Sequence, residues 1–237
     1  METTPGDLSV LGRSMYSEAL AARLLRVPQG TLHYWLEGGD RRGRTYLPVL
    51  RRRATGRREV TWAEFVEAGL LRSYRRDREV PMRELRAFIE YLRDRLGVPY
   101  PLAHHQPLTS GRELVVEAQR ESGLDPEYWL ILPQGRQLLY SPATDQFLQR
   151  VTWSSGPHGF VTTWRPHDDP NSPVRIDPEV RFGRPQIGGI STEALWDEAA
   201  GGAAPDEIAQ AFGLDENDVW WALQYERTHR RRTPTAA

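Results

Sequence analysis

The sequence predicts an α+β protein, mainly α, with an N-terminal winged helix-turn-helix, a small antiparallel β element and a C-terminal three-helix domain of helix-turn-helix kind. Three observations predict it. Residues 17–37 and 61–96 space their apolar side chains at helical period between cap and stop residues. Between 114 and 164 the apolar runs shorten to two to five residues separated by turn signals. After 190 three start and stop pairs follow one another closely.

In the first helix Ser17 is the N-cap, and Leu20, Ala21, Leu24 and Leu25 make one apolar stripe before Val27-Pro28 stops it. The second carries Leu32, Trp35 and Leu36 inward at i, i+3, i+4. Its opposite side presents Gly30, His33, Tyr34 and Glu37, with Gln29 and Thr31 at the N-terminal end. Gln29, Thr31, His33 and Tyr34 are therefore candidates for reading base edges in a major groove. Arg41, Arg42 and Arg44 lie in a hairpin completed by a strand over 45–50, and Arg51, Arg52, Arg53, Arg57 and Arg58 follow. That concentration of charge suits a wing that grips phosphates, and the implied partner is operator DNA. A two-helix core element with solvated arginines is the other reading of the same residues.

Thr61 to Glu64 is a capping box, with Val60 and Phe65 placed as a hydrophobic staple, so a third helix runs from Trp62 to about Arg75. Pro81 opens a fourth, in which Leu85, Phe88, Ile89, Leu92 and Leu96 share a face and Gly97 ends the run. Its other face is Arg83, Arg86, Glu90, Arg93 and Asp94. Such a helix packs either on the winged helix or on its copy in a homodimer. These elements make a first domain over 1–98.

Residues 99–165 read as a β-rich connecting region. Its runs are Leu114-Val115-Val116, 128–132, 137–140 and Phe147-Leu148, with a hairpin turn at Pro133-Gln134-Gly135 and another turn over 141–145. Trp129, Tyr140, Trp153 and Trp164 either line a ligand pocket or form its core. Four prolines between Arg165 and Pro178 mark 166–178 as a linker. The last domain spans 174–229: Thr192 caps a helix ended by Gly201-Gly202, Pro205 opens a second ended by Gly213, and Asp215 caps a third. Gly183, Gly188 and Gly189 permit positive φ and Pro185 fixes a turn, so 183–189 is a shaped loop rather than a phosphate cradle. Trp220-Trp221 gives one ring to the core or to a partner surface. Residues 230–237 read as a disordered basic tail.

All 31 basic residues are arginine. Residues 1–100 carry a net charge of +6 and residues 101–237 one of −7, so a near-neutral total hides a basic front half suited to nucleic acid. With no cysteine, disulfides and thiolate metal sites are excluded. No stretch approaches the ~20 apolar residues of a membrane span, and the N-terminus lacks the basic and apolar regions of a signal peptide, so a cytoplasmic protein without membrane partner is expected. His104-His105 and His167-Asp168-Asp169 sit in proline-rich loops without metal-ligand spacing, and no nucleophile or phosphate-loop motif is present. Binding is expected, not catalysis, and no metal or cofactor.

Residues 21–25, Val27-Pro28, Thr31-Leu32, Tyr34-Trp35 and Arg44-Thr45-Tyr46 resemble the N-terminal winged helix of MerR-type regulators, with His33 standing where such families carry arginine. Asp177-Pro178, Gly183-Arg184-Pro185-Gln186-Ile187-Gly188-Gly189, Ile190 and Gly202 through Ile208-Ala209 resemble an antitoxin-associated family of unknown function, with Gly189-Ile190-Ser191 where many members have Thr-Arg-Ile. A winged helix before such a domain resembles the atypical VapB-type antitoxins. The resemblance implies a PIN-like ribonuclease toxin as partner and an operator that the antitoxin represses. Trp220, Trp221, Arg230, Arg231 and Arg232 are the candidates for toxin contact, the arginines because PIN-type nucleases cluster carboxylates that guanidinium groups pair well. The alternatives are a MerR-like transcription regulator answering a small ligand without a toxin and, more remotely, a nuclease.

Overall fold

The computed structural model describes residues 10–41, 43–77, 80–104, 112–134, 137–155, 159–167 and 169–231. The fold is α+β and mainly α, and it divides into two compact units, Met1–Val161 and Thr162–Ala237.

The first unit opens with β1 (Ser14–Ser17), α1 (Glu18–Leu25) and α2 (Gln29–Glu37). Ser17 caps α1, its hydroxyl accepting the Leu20 N–H at 3.2 Å, and Arg26 ends it in the left-handed region. The stripes predicted for both helices meet: Ala21, Leu24, Leu25, Leu32, Trp35 and Leu36 are buried together. Gly38 closes α2 at φ 73°, where a Cβ would lie 2.2 Å from the Tyr46 carbonyl oxygen, so only glycine fits. The chain then forms the hairpin β2 (Gly39–Arg41) and β3 (Arg44–Tyr46). The strand ends at Tyr46. Residues 49 and 50 turn back, and their N–H groups both donate to the Trp35 carbonyl, at 2.8 and 2.9 Å.

β4 (Glu59–Thr61) pairs antiparallel with β1 and delivers the chain to α3 (Trp62–Asp77). The capping box is present in both directions: the Glu64 N–H donates to the Thr61 hydroxyl and the Thr61 N–H to Glu64 Oε2. Trp62 is fully buried, stacked on Phe65 at 5.6 Å, and its indole N–H donates to the Val161 carbonyl at 2.6 Å. α4 (Met82–Leu96) buries Leu85, Phe88, Ile89 and Leu92 within the unit and ends at Gly97. Its expected polar face is not all solvated, because Arg93 is buried and donates to the carbonyls of Leu50 and Pro99, at 2.7 and 2.8 Å. Arg86 reaches the Leu47 carbonyl at 2.8 Å. These bonds seat α4 on the segment that follows the hairpin in the same chain.

The β-rich expectation for 99–165 is corrected in two places. Leu114-Val115-Val116 lies in α5 (Arg112–Glu121), because Val115, Val116, Ala118 and Gln119 continue the run at helical spacing. The turn expected over 141–145 starts α6 (Pro142–Leu148), with Ser141 as N-cap and proline in the first turn. The hairpin is present as β5 (Ile131–Gln134) and β6 (Gln137–Tyr140). Buried Gln119 serves its edge, accepting from the N–H groups of Leu130 and Ile131 and donating to the Ile131 carbonyl. β7 (Val151–Trp153) and β8 (Val161–Trp164) complete the strands of this region.

In the second unit much of the expected linker is folded. Trp164 and Ile176 exchange both backbone hydrogen bonds, at 2.8 and 2.7 Å, and Val174 and Ile176 are fully buried. Alternating apolar residues at 174 and 176 carried a strand signal that the prolines masked. β9 (Gln186–Ile187) and β10 (Ile190–Ser191) form a hairpin whose two turn residues, Gly188 and Gly189, both have positive φ. α7 (Thr192–Ala200) is capped by Ser191, one residue earlier than expected, and α8 (Pro205–Phe212) and α9 (Glu216–Arg231) follow. Val174, Ile187, Leu195, Ile208, Ala209, Val219, Ala222 and Tyr225 form the core. α9 runs through Arg231, so Arg230 belongs to a helix and not to a disordered tail; 232–237 lie outside the described residues.

Candidate nucleic-acid interface

The N-terminal turn of α2 leaves Gln29 and Gly30 exposed and Thr31 and His33 half-buried. His33 is held from below by Glu18, a buried carboxylate in the first turn of α1, whose oxygens lie 3.0 and 3.1 Å from His33 Nδ1. A carboxylate only accepts, so Nδ1 carries the proton and Nε2 is left for an incoming ligand. Arg58 donates to the same carboxylate at 3.1 Å while its side chain stays 72% exposed. Glu18 thus orients one base-reading candidate and one phosphate candidate together. Its sequence position gave no hint, since an acid in a first helical turn is ordinary dipole pairing.

Two expected contacts are corrected. Tyr34 is buried, edge-on to Tyr46 at 6.2 Å, because the stripe of α2 is wider than its i, i+3, i+4 core. Arg51 is buried and not at a phosphate: its Nε and Nη2 donate to Glu64 at 2.8 and 3.1 Å, and Nη2 to the Glu59 carbonyl at 2.7 Å. Its Nη1 serves Glu37, Thr55 and the Arg57 carbonyl. Burial would lower the Arg51 pKa, but Glu64 and Glu37 outweigh it and raise it. Burial would raise that of Glu37, but the N–H groups of Gly56 and Thr55, the Thr55 hydroxyl and Arg51 together hold it below the usual carboxylate range. The hub fixes the 51–59 loop.

What that loop leaves outward is basic. Arg44, Arg52, Arg53 and Arg57 are exposed; Arg52 lies 3.6 Å from Asp94, while Arg44, Arg53 and Arg57 have no ion-pair partner among the described residues. Arg41 lies on β2 and Arg42 outside the described residues. A cavity of about 230 Å³ opens beside the loop, lined by Arg52, Arg53, Arg57 and Tyr100 among others. Burial, with Glu64 next to it, pushes the Tyr100 phenol up to about 12, so it stays protonated. Beneath lies Glu67, fully buried, which accepts the Leu102 N–H at 2.9 Å.

The second unit holds the residues expected at a toxin. Trp220 is 49% exposed and packs edge-on against half-buried Trp221 at 4.8 Å, which meets His167 at 5.2 Å. Arg230 sits over the Trp196 ring at 5.2 Å and pairs with Glu226 at 3.4 Å. Arg231 ends the helix and Arg232 lies outside the described residues, as do His105 and Asp168. A feature with no sequence signal is Phe182, 89% exposed in a loop before β9. Among the described residues no helix is long and apolar enough to cross a membrane.

Residues 174–225 match the family described as "Protein of unknown function (DUF433)". Over 97% of both chains the protein is 30% identical to Rv2308 of Mycobacterium tuberculosis, described as an uncharacterized protein. It is 25% identical to VapB45 of the same organism, described as a candidate antitoxin, over 88% of this chain and 92% of that one. The crystal structure of Rv2018 from Mycobacterium tuberculosis has the same fold, with a TM-score of 0.71 over 89% of this chain and 98% of that chain at 23% identity. Identity at that level along nearly the whole length makes this chain a member of the Rv2308 family, and the DUF433 match falls within its second unit.

Proposed function

We propose that the protein is the antitoxin of a type II toxin–antitoxin pair, which represses its own operon as a homodimer on operator DNA and neutralises a PIN-like ribonuclease toxin. The similarity to VapB45 along most of both chains supports the toxin partner. The observation that carries the DNA half is the exposed end of α2, with His33 locked by Glu18, together with Arg44, Arg53 and Arg57, exposed and without an ion-pair partner among the described residues. In this reading α1 and α2 are a helix-turn-helix and β2–β3 its wing. Gln29, Thr31 and His33 read bases, and Arg41, Arg42, Arg44, Arg52, Arg53, Arg57 and Arg58 hold phosphates. Trp220, Trp221 and Arg230 to Arg232 remain candidates for toxin contact.

Arg53→Ala and Arg57→Ala should each weaken binding alike on every sequence and reduce the slope of log K against log salt by about one, measured by fluorescence anisotropy. His33→Ala should instead relax preference at one base pair by about 1–3 kcal/mol. An unchanged slope in these two variants would remove the 51–59 loop from the phosphate contacts, and an unchanged slope in Arg42→Ala and Arg44→Ala would remove the wing assignment.

The toxin half is tested by co-expressing the tagged chain with the product of the adjacent gene. A stoichiometric complex, with ribonuclease activity suppressed in it, is the expected result. The second reading, a ligand-responsive regulator, is favoured by the arginine-lined cavity beside Tyr100. It takes over if the folded, DNA-binding chain captures no neighbour.

A further inference from the structure

We propose that the turn Arg181-Phe182-Gly183 is a preformed plug, which inserts Phe182 into an apolar socket bordered by carboxylates on the ribonuclease toxin. The proposal rests on the antitoxin reading above. Its starting point is a double cost at one residue. Phe182 is 89% exposed, whereas Phe65, Phe88 and Phe147 are almost wholly buried. It also sits at φ 53°, ψ 39°, next to Arg181 at φ 49° and Gly183 at φ 68°. Side chains adopt this left-handed conformation only against a steric penalty, and such strain persists where the surroundings over-determine it. Among the described residues the other non-glycine with positive φ is Arg26, which ends α1 and so has a capping role.

The surroundings here do over-determine it. The Val180 N–H donates to the Asp177 carbonyl at 3.1 Å, Gly183 N–H to the Val180 carbonyl at 3.0 Å, and Arg184 N–H to the Arg181 carbonyl at 3.1 Å. Asp177 Oδ1 accepts the Glu179 N–H at 2.8 Å, and Arg181 Nε donates to the Gly189 carbonyl at 2.7 Å, tying the turn to the β9–β10 hairpin. An aromatic held rigidly outward binds without first losing rotamer or loop freedom, which is how an interface anchor gains affinity. Charge complementarity names the occupant. The terminal nitrogens of the exposed Arg181 guanidinium have no partner among the described residues, so an unneutralised cation stands beside the ring. A nuclease that gathers carboxylates to hold metal ions offers the matching rim.

The test uses the full chain, tagged and co-expressed with the adjacent gene's product, as wild type and as Phe182→Ala, Phe182→Gly and Phe182→Trp. Phe182→Ala and Phe182→Gly should weaken toxin binding by about tenfold or more, and Phe182→Trp should retain it. Operator affinity should match wild type in all three. The unfolding midpoint of Phe182→Gly should equal or exceed that of wild type, because glycine enters this conformation freely; that separates a binding role from a structural one. Wild-type toxin binding in both small variants would overturn the plug while leaving the antitoxin reading intact. An equal loss of operator affinity would overturn it in favour of a structural or nucleic-acid role. A wild-type chain that folds and binds DNA but captures no toxin would overturn both.

Discussion

Arg51→Met should destabilise the first unit by about 3–5 kcal/mol in urea unfolding, while Arg53→Ala and Arg57→Ala, two and six residues on, should stay within about 0.5 kcal/mol of wild type. The difference lies in where the guanidinium groups sit. Arg51 is 7% exposed and answers two carboxylates, a hydroxyl and two carbonyls. Methionine fills much of the volume but leaves buried Glu64 and half-buried Glu37 without their cation, which is the expensive way to break such a cluster. Because Glu37 accepts the N–H groups of Thr55 and Gly56 from the same site, the 51–59 loop should loosen with it. On the proposed DNA-binding reading, operator affinity should then fall as well. A loss of stability below about 1 kcal/mol would show that the hub is not a structural centre.

Glu67→Gln should flatten the fall of stability with pH. Burial raises the Glu67 carboxyl from 4.5 to about 7, against the pull of Arg93 and the Leu102 N–H and with Glu64 adding to the rise. Arg93 is the strongest opposing influence but does not cancel burial, its Nη2 standing 3.6 Å from Glu67 while its N–H groups also serve Pro99 and Leu50. In the folded state the group keeps its proton where the unfolded chain has lost it. Its contribution is therefore fully present below pH 4.5 and is lost as pH rises through about 7, up to about 3 kcal/mol for such a shift. Glu37 works in the opposite sense and only below pH 4.5, since its carboxyl is held down. Chemical denaturation at pH 5 and 8 separates the two. If Glu67→Gln loses as much stability over that range as wild type, the slope has another source.

Helix ends were the most legible part of the sequence, because caps act locally: Ser17, Thr61 with Glu64, Gly97 and Pro205 all sit where side-chain chemistry predicts. Three-residue apolar runs were not legible. Leu114-Val115-Val116 fits either period, and only Gln119, whose amide meets β5 across the unit, reveals the helical one. Within the basic run, sequence could not separate Arg51 from its neighbours, since burial depends on Glu37 and Glu64 arriving from two other elements. Phe182 was invisible for a related reason. A phenylalanine in a sequence reads as core, and its exposure follows from backbone angles that propensity assigns to glycine.

The indole N–H of Trp62 ends on a carbonyl 99 residues downstream. A ribosome extending the chain by about 5–20 residues each second therefore exposes Trp62 for several seconds before its acceptor exists. During that interval the apolar side chains of Trp62, Phe65, Val66 and Leu70, all buried in the finished fold, lack part of the chain that covers Trp62. A fragment cut at 98 would be arrested permanently in the same condition. It should gather into aggregates or onto chaperones, so residues 1–98 are not a detachable module but the first part of a fold completed late in synthesis.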